Sequence, residues 1–285
     1  MEKILVLGNK GMLGHVLFKT LQLSSNCKKY ETIGINRSNN NNDVNSFQLD
    51  VLDFLKLEQF IKKNHPKYIV NCIGTLVEAS IKKPTLAIKT NSLLPHFLNE
   101  ISDLYNFKLI HISTDCVFDG SKGCYIETDL KTESNYYGLT KNLGEINNST
   151  NLTIRTSIIG PEIKTNSTGL FEWVISQKSN TVNGYSRAIW SGLTTTELAK
   201  FIIWTLNKKI SGIVHATNGE CISKYDLIKL IDKTFDLKII VNKNSNYRLN
   251  KSLLNTRIKD YKFPTYDEMI KEMKDWIENY DINRI

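Results

Sequence analysis

Short apolar runs of β-type residues alternate with longer amphipathic segments through the first half of this 285-residue chain. That alternation is typical of βαβ units, in which helices connect parallel strands through right-handed crossovers. Strands are predicted at residues 3–7, 32–36, 68–72, 108–112 and 152–156. Helices are predicted at residues 13–23, 54–63, 85–105 and 136–147. The pattern therefore predicts an α/β fold with a doubly wound, mostly parallel sheet.

A glycine-rich turn, GNKGMLG at residues 8–14, follows the first predicted strand directly and opens the first helix. Its spacing is GxxGxxG, whereas the usual dinucleotide fingerprint is GxGxxG. In such a site the glycines allow a tight turn, close approach of the backbone to a pyrophosphate, and close packing of helix on strand. A plain tight turn is the alternative. The position between a strand and a helix favours a Rossmann dinucleotide-binding domain.

After residue 160 the alternation gives way to shorter elements. We predict helices at residues 170–177, 194–206, 224–235 and 266–279, and a strand at residues 213–216. This predicts a smaller C-terminal α+β substrate lobe over residues 161–285, after a Rossmann domain over residues 1–160. An alternative division assigns residues 191–216 to the Rossmann domain as well.

The second predicted strand ends in Asn36-Arg37-Ser38, without a carboxylate. A carboxylate at this place binds a ribose 2′-hydroxyl, whereas an arginine accommodates a 2′-phosphate. We therefore expect NADPH, with NADH as the alternative. Asp50-Val51 is expected to close the third strand, where Asp50 can accept a hydrogen bond from the adenine amino group. Capping the next helix is the other role for this aspartate.

Composition narrows the class of protein. The 41% hydrophobic and 23% charged residues are those of an ordinary globular protein. Although the formal net charge is +8, the lysines are spread along the chain, so a nucleic-acid partner is not expected. The five cysteines form no CxxC pair, which argues against a disulfide framework or a bound metal and fits a reducing cytoplasm. Without a secretory signal or an apolar run of about 18 residues, we expect a cytoplasmic protein that does not enter the membrane.

Tyr137 and Lys141 are four residues apart, which puts both on one face of a predicted helix. A nearby cation lowers a phenol pKa from about 10 by roughly 1 to 3 units, towards that of a usable general acid. About 25 residues upstream, STDCVFDG at residues 113–120 brings a hydroxyl to the edge of the sheet where ligands bind. The two signals together indicate one active site.

On these residues the chain resembles the extended short-chain dehydrogenase/reductases and, within them, the dTDP-4-dehydrorhamnose reductase group. The resemblance runs nearly end to end, from GNKGMLG through VNCIG, STDCVFDG, YxxxK and IRTSIIGP to GIVHATNGECISKYDL. It implies that Tyr137 is the proton donor and that Lys141 lowers its pKa and holds the nicotinamide ribose. It also implies that Thr114 orients the substrate carbonyl.

The resemblance completes the set of expected site residues. Asn91 matches a helix asparagine that supports a bound water near the lysine, and backbone at residues 72–74 lines the nicotinamide side. The residues expected to contact the cofactor are Gly8, Asn9, Lys10, Gly11, Met12, Leu13, Gly14, Arg37, Ser38, Asp50, Val51, Cys72, Ile73, Gly74, Asn91, Tyr137 and Lys141. The residues expected to contact the substrate are Asp115, Cys116, Ile158, Arg187, Trp190 and Arg248, the two arginines as diphosphate ligands.

Two positions depart from the rhamnose enzymes, which generally carry Tyr in place of Cys116 and Trp in place of Ile158. A UDP-linked 2-acetamido-2,6-dideoxy-4-ketohexose is therefore an alternative substrate. GDP-fucose synthases use a cysteine at the place of Cys116 for epimerisation, but Glu162 stands where they have a partner histidine. A bifunctional epimerase-reductase is a further alternative. Nucleotide-sugar dehydratases keep an Asp-Glu pair after the threonine. In this chain Asp115 is followed by Cys116, so dehydration is disfavoured.

The resemblance implies a reductase that transfers hydride from NADPH to the C4 ketone of a nucleotide-linked 4-keto-6-deoxyhexose, in deoxysugar and surface polysaccharide biosynthesis. The expected partner is a nucleotide-diphosphate sugar, and a homodimer is left as an option. The alternative from another class is a non-catalytic regulatory nucleotide-binding subunit, because the regulatory subunit of methionine adenosyltransferase resembles the same reductases.

Overall fold

The computed structural model describes residues 1–23, 28–38, 45–163 and 169–280. The strands in these residues are β1 (Glu2–Leu7), β2 (Tyr30–Asn36), β3 (Ser46–Gln48), β4 (Tyr68–Asn71), β5 (Lys108–Thr114), β6 (Leu152–Thr156), β7 (Ile158–Ile159), β8 (Thr181–Trp190), β9 (Leu193–Thr194), β10 (Gly212–His215), β11 (Ile222–Ser223) and β12 (Ile240–Asn250).

The α-helices are α1 (Met12–Gln22), α2 (Phe54–Asn64), α3 (Val77–Lys82), α4 (Pro84–Ala87), α5 (Leu94–Leu104), α6 (Tyr136–Leu143), α7 (Leu170–Ser176), α8 (Thr195–Thr205), α9 (Lys224–Phe235) and α10 (Tyr266–Tyr280). A π-helical turn, Ile88–Leu93, joins α4 to α5, and a 3₁₀ turn, Asp115–Val117, follows β5. None of the helices in the described residues combines the length and the apolar character needed to cross a membrane.

Seven parallel strands form the large sheet in the order β10-β6-β5-β4-β1-β2-β3. Both faces of this sheet are covered, and the residues of β1 alternate between them: Ile4 and Val6 join one core cluster, and Leu5 and Leu7 join the other. The chain direction across the sheet reverses between β1 and β4. Ligands bind in doubly wound sheets at such a switch point, beyond the carboxyl ends of the strands.

The C-terminal lobe contains a mixed three-stranded sheet in the order β11-β8-β12, with β12 parallel and β11 antiparallel to β8. One core cluster includes Val6 and Leu17 of the first lobe as well as Leu227 of α9 and Met269 of α10. The two lobes therefore share a hydrophobic core.

The structure confirms the α/β class and the parallel sheet, and strands occupy all five positions predicted in the first half. The single helix predicted at 85–105 is wrong, because a π-helical turn interrupts it at Ile88–Leu93. The helix predicted at 136–147 ends early, at Leu143, where Gly144 caps it. The segment Gly212–His215 pairs with β6 at the edge of the large sheet. The domain boundary near residue 160 stays a prediction.

Candidate active site

A cavity of about 560 Å³ lies beyond the carboxyl ends of β1, β4, β5 and β6. Its size is that of a small-molecule or cofactor site. The lining residues expected from the sequence are Lys10, Gly11, Met12, Leu13, Cys72, Ile73, Gly74, Thr114, Asp115, Cys116, Tyr137, Lys141 and Ile158. The cavity therefore brings together, on one surface, segments that are far apart in the chain.

The glycine turn between β1 and α1 forms one end of the cavity. Gly8 has a φ of +81°, and a Cβ on Gly14 would stand 2.0 Å from the carbonyl oxygen of Gly8. Both positions therefore require glycine, one for the turn and one for the packing of helix on strand. Gly11 lines the cavity and begins α1 without a side-chain cap. The N-terminus of α1 thus offers bare backbone to an anion.

Asn9 lies behind the turn and does not line the cavity. It is 4% exposed, and its side chain accepts a hydrogen bond from Asn36 Nδ2 at 3.1 Å and donates one to Ser46 Oγ at 2.9 Å. Ser38 accepts hydrogen bonds from Lys10 Nζ at its carbonyl oxygen (3.4 Å) and its hydroxyl (3.5 Å). With the exposed Arg37 beside it, this corner carries two cations at the end of β2.

Asp50 and Val51 do not close β3, which ends at Gln48. The exposed Asp50 carboxylate accepts a hydrogen bond from the backbone N–H of Leu52 at 3.0 Å. It does not cap α2, since Asp53 does so by accepting from the N–H of Lys56. Val51 is buried in a hydrophobic cluster, so neither residue lines the cavity in this structure.

Thr114, Tyr137 and Lys141 lie together on one wall. Thr114 ends β5, and its hydroxyl accepts from the N–H of Cys116 at 3.1 Å. Tyr137 and Lys141 project from α6, whose first turn is capped by the Asn135 side chain. Lys141 is 3% exposed, and its Nζ donates to the carbonyl oxygen of Ile112 at 2.6 Å, which fixes the ammonium against β5.

Burial raises the pKa of Tyr137 above its ordinary value and outweighs the lowering by a hydrogen bond with Thr114. Desolvation disfavours the phenolate more than its neighbours favour it, and a lowering of the phenol pKa by Lys141 stays a prediction. Burial lowers the pKa of Lys141 to about 8. At neutral pH the pair is therefore a protonated phenol and, mostly, an ammonium.

The Asn91 side chain connects several segments beside the cavity, and the bound water implied by the resemblance stays a prediction. Its Oδ1 accepts from the N–H of Thr75 at 2.8 Å, and its Nδ2 donates to the carbonyl of Thr75 and to Thr140 Oγ1 at 3.0 and 3.1 Å. The side chain thus joins the π-helical turn to α6 and to the chain after β4.

Asp115, Cys116 and Ile158 line the cavity next to the catalytic wall. Burial raises the pKa of Asp115, and burial followed by the charge of Asp115 raises the pKa of Cys116 to about 12. Cys116 is therefore a neutral thiol at physiological pH. Glu162 also lines the cavity, but its carboxylate accepts from the N–H of Gly169 at 2.7 Å.

The arginines and the tryptophan expected to bind substrate lie elsewhere. Trp190 is 4% exposed, packs in the core and donates through Nε1 to Ser157 Oγ at 2.8 Å. Arg187 and Arg248 are exposed neighbours on β8 and β12 and do not line the cavity. Alternation along β8 turns Trp190 inward and Arg187 outward, and contact of these three residues with a substrate stays a prediction.

Two lysines of the C-terminal lobe act on the cavity through their charge without lining it. Lys224, the first residue of α9, and Lys251, just after β12, both act electrostatically on Asp115 and Cys116. Lys251 also forms an ion pair with Glu133 at 2.7 Å, with side chains 11% and 13% exposed. Burial lowers the pKa of Lys224 to about 8. A single lysine in a polar sequence carries no motif, so sequence patterns could not identify either.

Two further glycines allow the catalytic helix to reach its position. A Cβ on Gly138 would stand 2.4 Å from the carbonyl oxygen of Cys116, and one on Gly144 would stand 1.8 Å from that of Asn91. Their presence on either side of Lys141 was the one sequence signal for this close packing.

The match with known sequences covers most of the chain. Residues 1–251 match the protein family described as RmlD substrate binding domain. A dTDP-4-dehydrorhamnose reductase of Aggregatibacter actinomycetemcomitans is 26% identical over 255 residues, which are 85% of this chain and 82% of that protein. The methionine adenosyltransferase 2 subunit beta of Mus musculus is 26% identical over 254 residues, 83% of this chain and 73% of that protein.

Solved structures share the fold. A hypothetical dTDP-4-dehydrorhamnose reductase from Sulfolobus tokodaii superposes with a TM-score of 0.78 and 28% identity, covering 94% of this chain and 98% of that one. A dTDP-4-dehydrorhamnose reductase from Bacillus anthracis, solved in complex with NADP, gives a TM-score of 0.80 at 22% identity, covering 96% and 99%.

Proposed function

The chain belongs to the RmlD substrate-binding-domain family, and from that premise we propose that it is an NADPH-dependent reductase of the C4 ketone of a nucleotide-linked 4-keto-6-deoxyhexose. The observation that carries this proposal is the convergence of Thr114, Tyr137 and Lys141 on one wall of a cavity that ends in the glycine turn. The relatives that are named reductases support the same chemistry.

The residues present fit a dinucleotide. The uncapped N-terminus of α1 suits the pyrophosphate, and the backbone at residues 72–74 suits the nicotinamide side of the cavity. Lys10 and Arg37, on either side of Ser38, suit a 2′-phosphate, which supports NADPH over NADH. When bound, this cofactor supplies a hydride to a carbonyl carbon.

The protein's part in the reaction is to orient the ketone and deliver a proton. Thr114 holds the carbonyl oxygen by hydrogen bonding, and Tyr137 gives its phenolic proton to the oxygen as the alcohol forms. A raised phenol pKa keeps the donor protonated over the physiological range, and it suits transfer to a strongly basic alkoxide. Lys141 holds the ribose hydroxyls of the nicotinamide half.

The neutral thiol of Cys116 suits a general acid but not a general base, so the epimerase variant needs another group for proton abstraction from the sugar carbon. A second candidate function is that of a non-catalytic regulatory subunit, which the similarity to methionine adenosyltransferase 2 subunit beta supports. The complete set of Thr114, Tyr137 and Lys141 in the cavity favours the reductase.

The test is oxidation of NADPH and of NADH with a panel of dTDP-, UDP- and GDP-linked 4-keto-6-deoxyhexoses, including a 2-acetamido-2,6-dideoxy sugar. We expect turnover with NADPH and one nucleotide class, and NMR of the product shows the stereochemistry at C4. Deuterium uptake at C3 or C5 in D₂O would revive the epimerase. Tight NADPH binding without turnover of any sugar would favour the regulatory subunit.

A further inference from the structure

A buried ion pair lies behind the catalytic lysine. Glu145 follows α6 one turn after Lys141, and Arg155 lies on β6. Arg155 Nε donates to Glu145 Oε1 at 2.7 Å, and Nη2 donates to Oε2 at 2.8 Å. Both side chains are 1% exposed. Two parallel charge-assisted hydrogen bonds hold the carboxylate in one orientation.

The same carboxylate fastens α6 to the strand that carries the site. Ser113 Oγ donates to Glu145 Oε1 at 2.7 Å. Ser113 lies between Ile112, whose carbonyl accepts from Lys141, and Thr114, the carbonyl-orienting hydroxyl. Glu145 therefore ties the chain just after α6 to β5, next to the residue that holds Lys141.

Arg155 is itself fixed from its other side. Its Nη1 donates to the carbonyl of Glu127 and to His215 Nε2, both at 3.2 Å. The imidazole of His215 donates through Nδ1 to the carbonyl of Leu254 at 2.9 Å. Since burial lowers the pKa of His215, the ring is neutral and its Nε2 is free to accept from Arg155.

The other titratable groups around Lys141 are neutral at physiological pH. Burial raises the pKa of the Cys72 thiol to about 12 and lowers that of His111 well below its usual value. Burial also keeps Tyr137 protonated. Glu145 stays ionised, because hydrogen bonds and charges led by Arg155 lower its pKa against the effect of burial. Among the described residues, Glu145 is thus the anion that acts on Lys141.

We propose that Glu145, held by Arg155, is a positioning residue that keeps Lys141 in its ammonium form beside the cofactor. This rests on the proposed function, in which Lys141 holds the nicotinamide ribose. Burial lowers the pKa of Lys141 to about 8, and Glu145 opposes that lowering. Without the carboxylate the pKa falls further, so the ammonium is retained at low pH and lost as the pH rises through neutrality.

The test removes both buried charges at once, in Glu145→Gln/Arg155→Met, because removal of one partner leaves an unpaired buried charge. The matched control is Lys131→Met, which removes a side chain 31% exposed whose Nζ lies 3.2 Å from the same carboxylate. The side-chain carbons of ¹³C-labelled lysines are titrated by NMR, and the Lys141 signal is identified by its loss in Lys141→Met.

We expect a midpoint near 8 for Lys141 in the parent protein and in the control. In the double variant it falls by about 1 pH unit, the lower end of the effect of an adjacent opposite charge. NADPH affinity then falls about fivefold at pH 8 and less than twofold at pH 6, as that shift requires. An unchanged midpoint overturns the proposal.

Two further comparisons distinguish failure of this proposal from failure of the variant to fold and from failure of the proposed function. If the double variant does not fold, Glu145→Asp and Glu145→Gln are compared: retention of the midpoint in the first and its fall in the second supports the proposal, and equal midpoints overturn it. The NMR titration needs no turnover. A shifted midpoint in a protein that reduces no sugar therefore contradicts the proposed function and leaves the role of Glu145 intact.

Discussion

Two regions at the cavity arise from different kinds of sequence. The glycine turn and the wall that carries Tyr137 and Lys141 are made by two short contiguous segments, residues 8–14 and 137–141, each placed by the element to which it belongs. The second region is Lys224 and Lys251 of the C-terminal lobe, which do not line the cavity and act on Asp115 through their charge. The first region is thus encoded locally, whereas the second depends on how the lobes pack.

The largest expected effect lies on the catalytic wall, where two adjacent tyrosines differ in position. Tyr137 lines the cavity, whereas Tyr136 is 51% exposed. Tyr137→Phe removes the proton donor, and we expect kcat to fall by about 10² to 10⁴, the usual contribution of general acid catalysis. Cofactor affinity is expected to stay within twofold, roughly the effect of one exposed contact.

Steady-state kinetics and a fluorescence titration of NADPH measure these two quantities. Tyr136→Phe is the control and is expected to behave like the parent protein. Equal kcat values for the two variants would remove the phenol from the mechanism and favour a site that only binds a nucleotide.

The same contrast explains what could be read from the sequence. GNKGMLG and YxxxK have a fixed spacing because one turn and one helix place all their members, so the contacts are local. For β8, sequence could not tell which alternate set of residues faces the core, and a shift of one residue exchanges the faces. Arg187 and Trp190 were chosen as residue types that bind a nucleotide diphosphate, which carries no information on the face of β8 that each occupies: Trp190 is in the core and Arg187 is on the outer face.

Two glycines of the turn between β1 and α1 test the locally encoded part of the cavity. A Cβ on Gly14 would meet the Gly8 carbonyl oxygen at 2.0 Å, whereas one on Gly11 would lie 3.3 Å from the same atom. Gly14→Ala therefore forces α1 away from β1, and we expect the free energy of unfolding to fall by about 1–3 kcal/mol, as in an overpacked core.

Gly11→Ala is expected to leave the unfolding free energy nearly unchanged and to weaken NADPH binding, because the methyl group lies on the cavity surface. Urea unfolding and NADPH titration of both variants test the pair. The reverse pattern, with Gly11→Ala the less stable variant, would contradict the assigned roles of the two glycines.

The role of Lys224 is tested by replacing this lysine with methionine or with arginine. Burial lowers the pKa of Lys224 to about 8, so its charge is present below that pH and is lost as the pH rises. If Lys224 binds a substrate anion, Lys224→Met raises KM for the sugar nucleotide roughly tenfold at pH 7, since a charge-assisted hydrogen bond contributes about 1.5–3 kcal/mol. Lys224→Arg keeps its charge and is expected to retain a low KM at pH 9, where the parent protein loses affinity.

The double variant Arg187→Gln/Arg248→Gln is the control for the Lys224 variants. Because both arginines are exposed, whereas Lys224 is partly buried, we expect less than a twofold change in KM, within the range of exposed charges. A larger rise in the double variant than in Lys224→Met would favour the arginines as the diphosphate ligands.

The smallest effect is expected at the corner where β2 ends. Arg37 is exposed, and Lys10 reaches the neighbouring Ser38, so the two cations share the recognition of a 2′-phosphate. Arg37→Gln is expected to lower the ratio of kcat/KM for NADPH to that for NADH by about twofold to fivefold, the effect of one solvent-screened ion pair. Lys10→Gln should act in the same direction, and the loss of NADPH preference should shrink at high salt.

A preference for NADPH that survives removal of both cations would mean that the 2′-phosphate is not bound where β2 ends. Recognition of the adenine ribose would then depend, like the charges of Lys224 and Lys251, on tertiary contacts that the segment Asn36-Arg37-Ser38 after β2 does not encode.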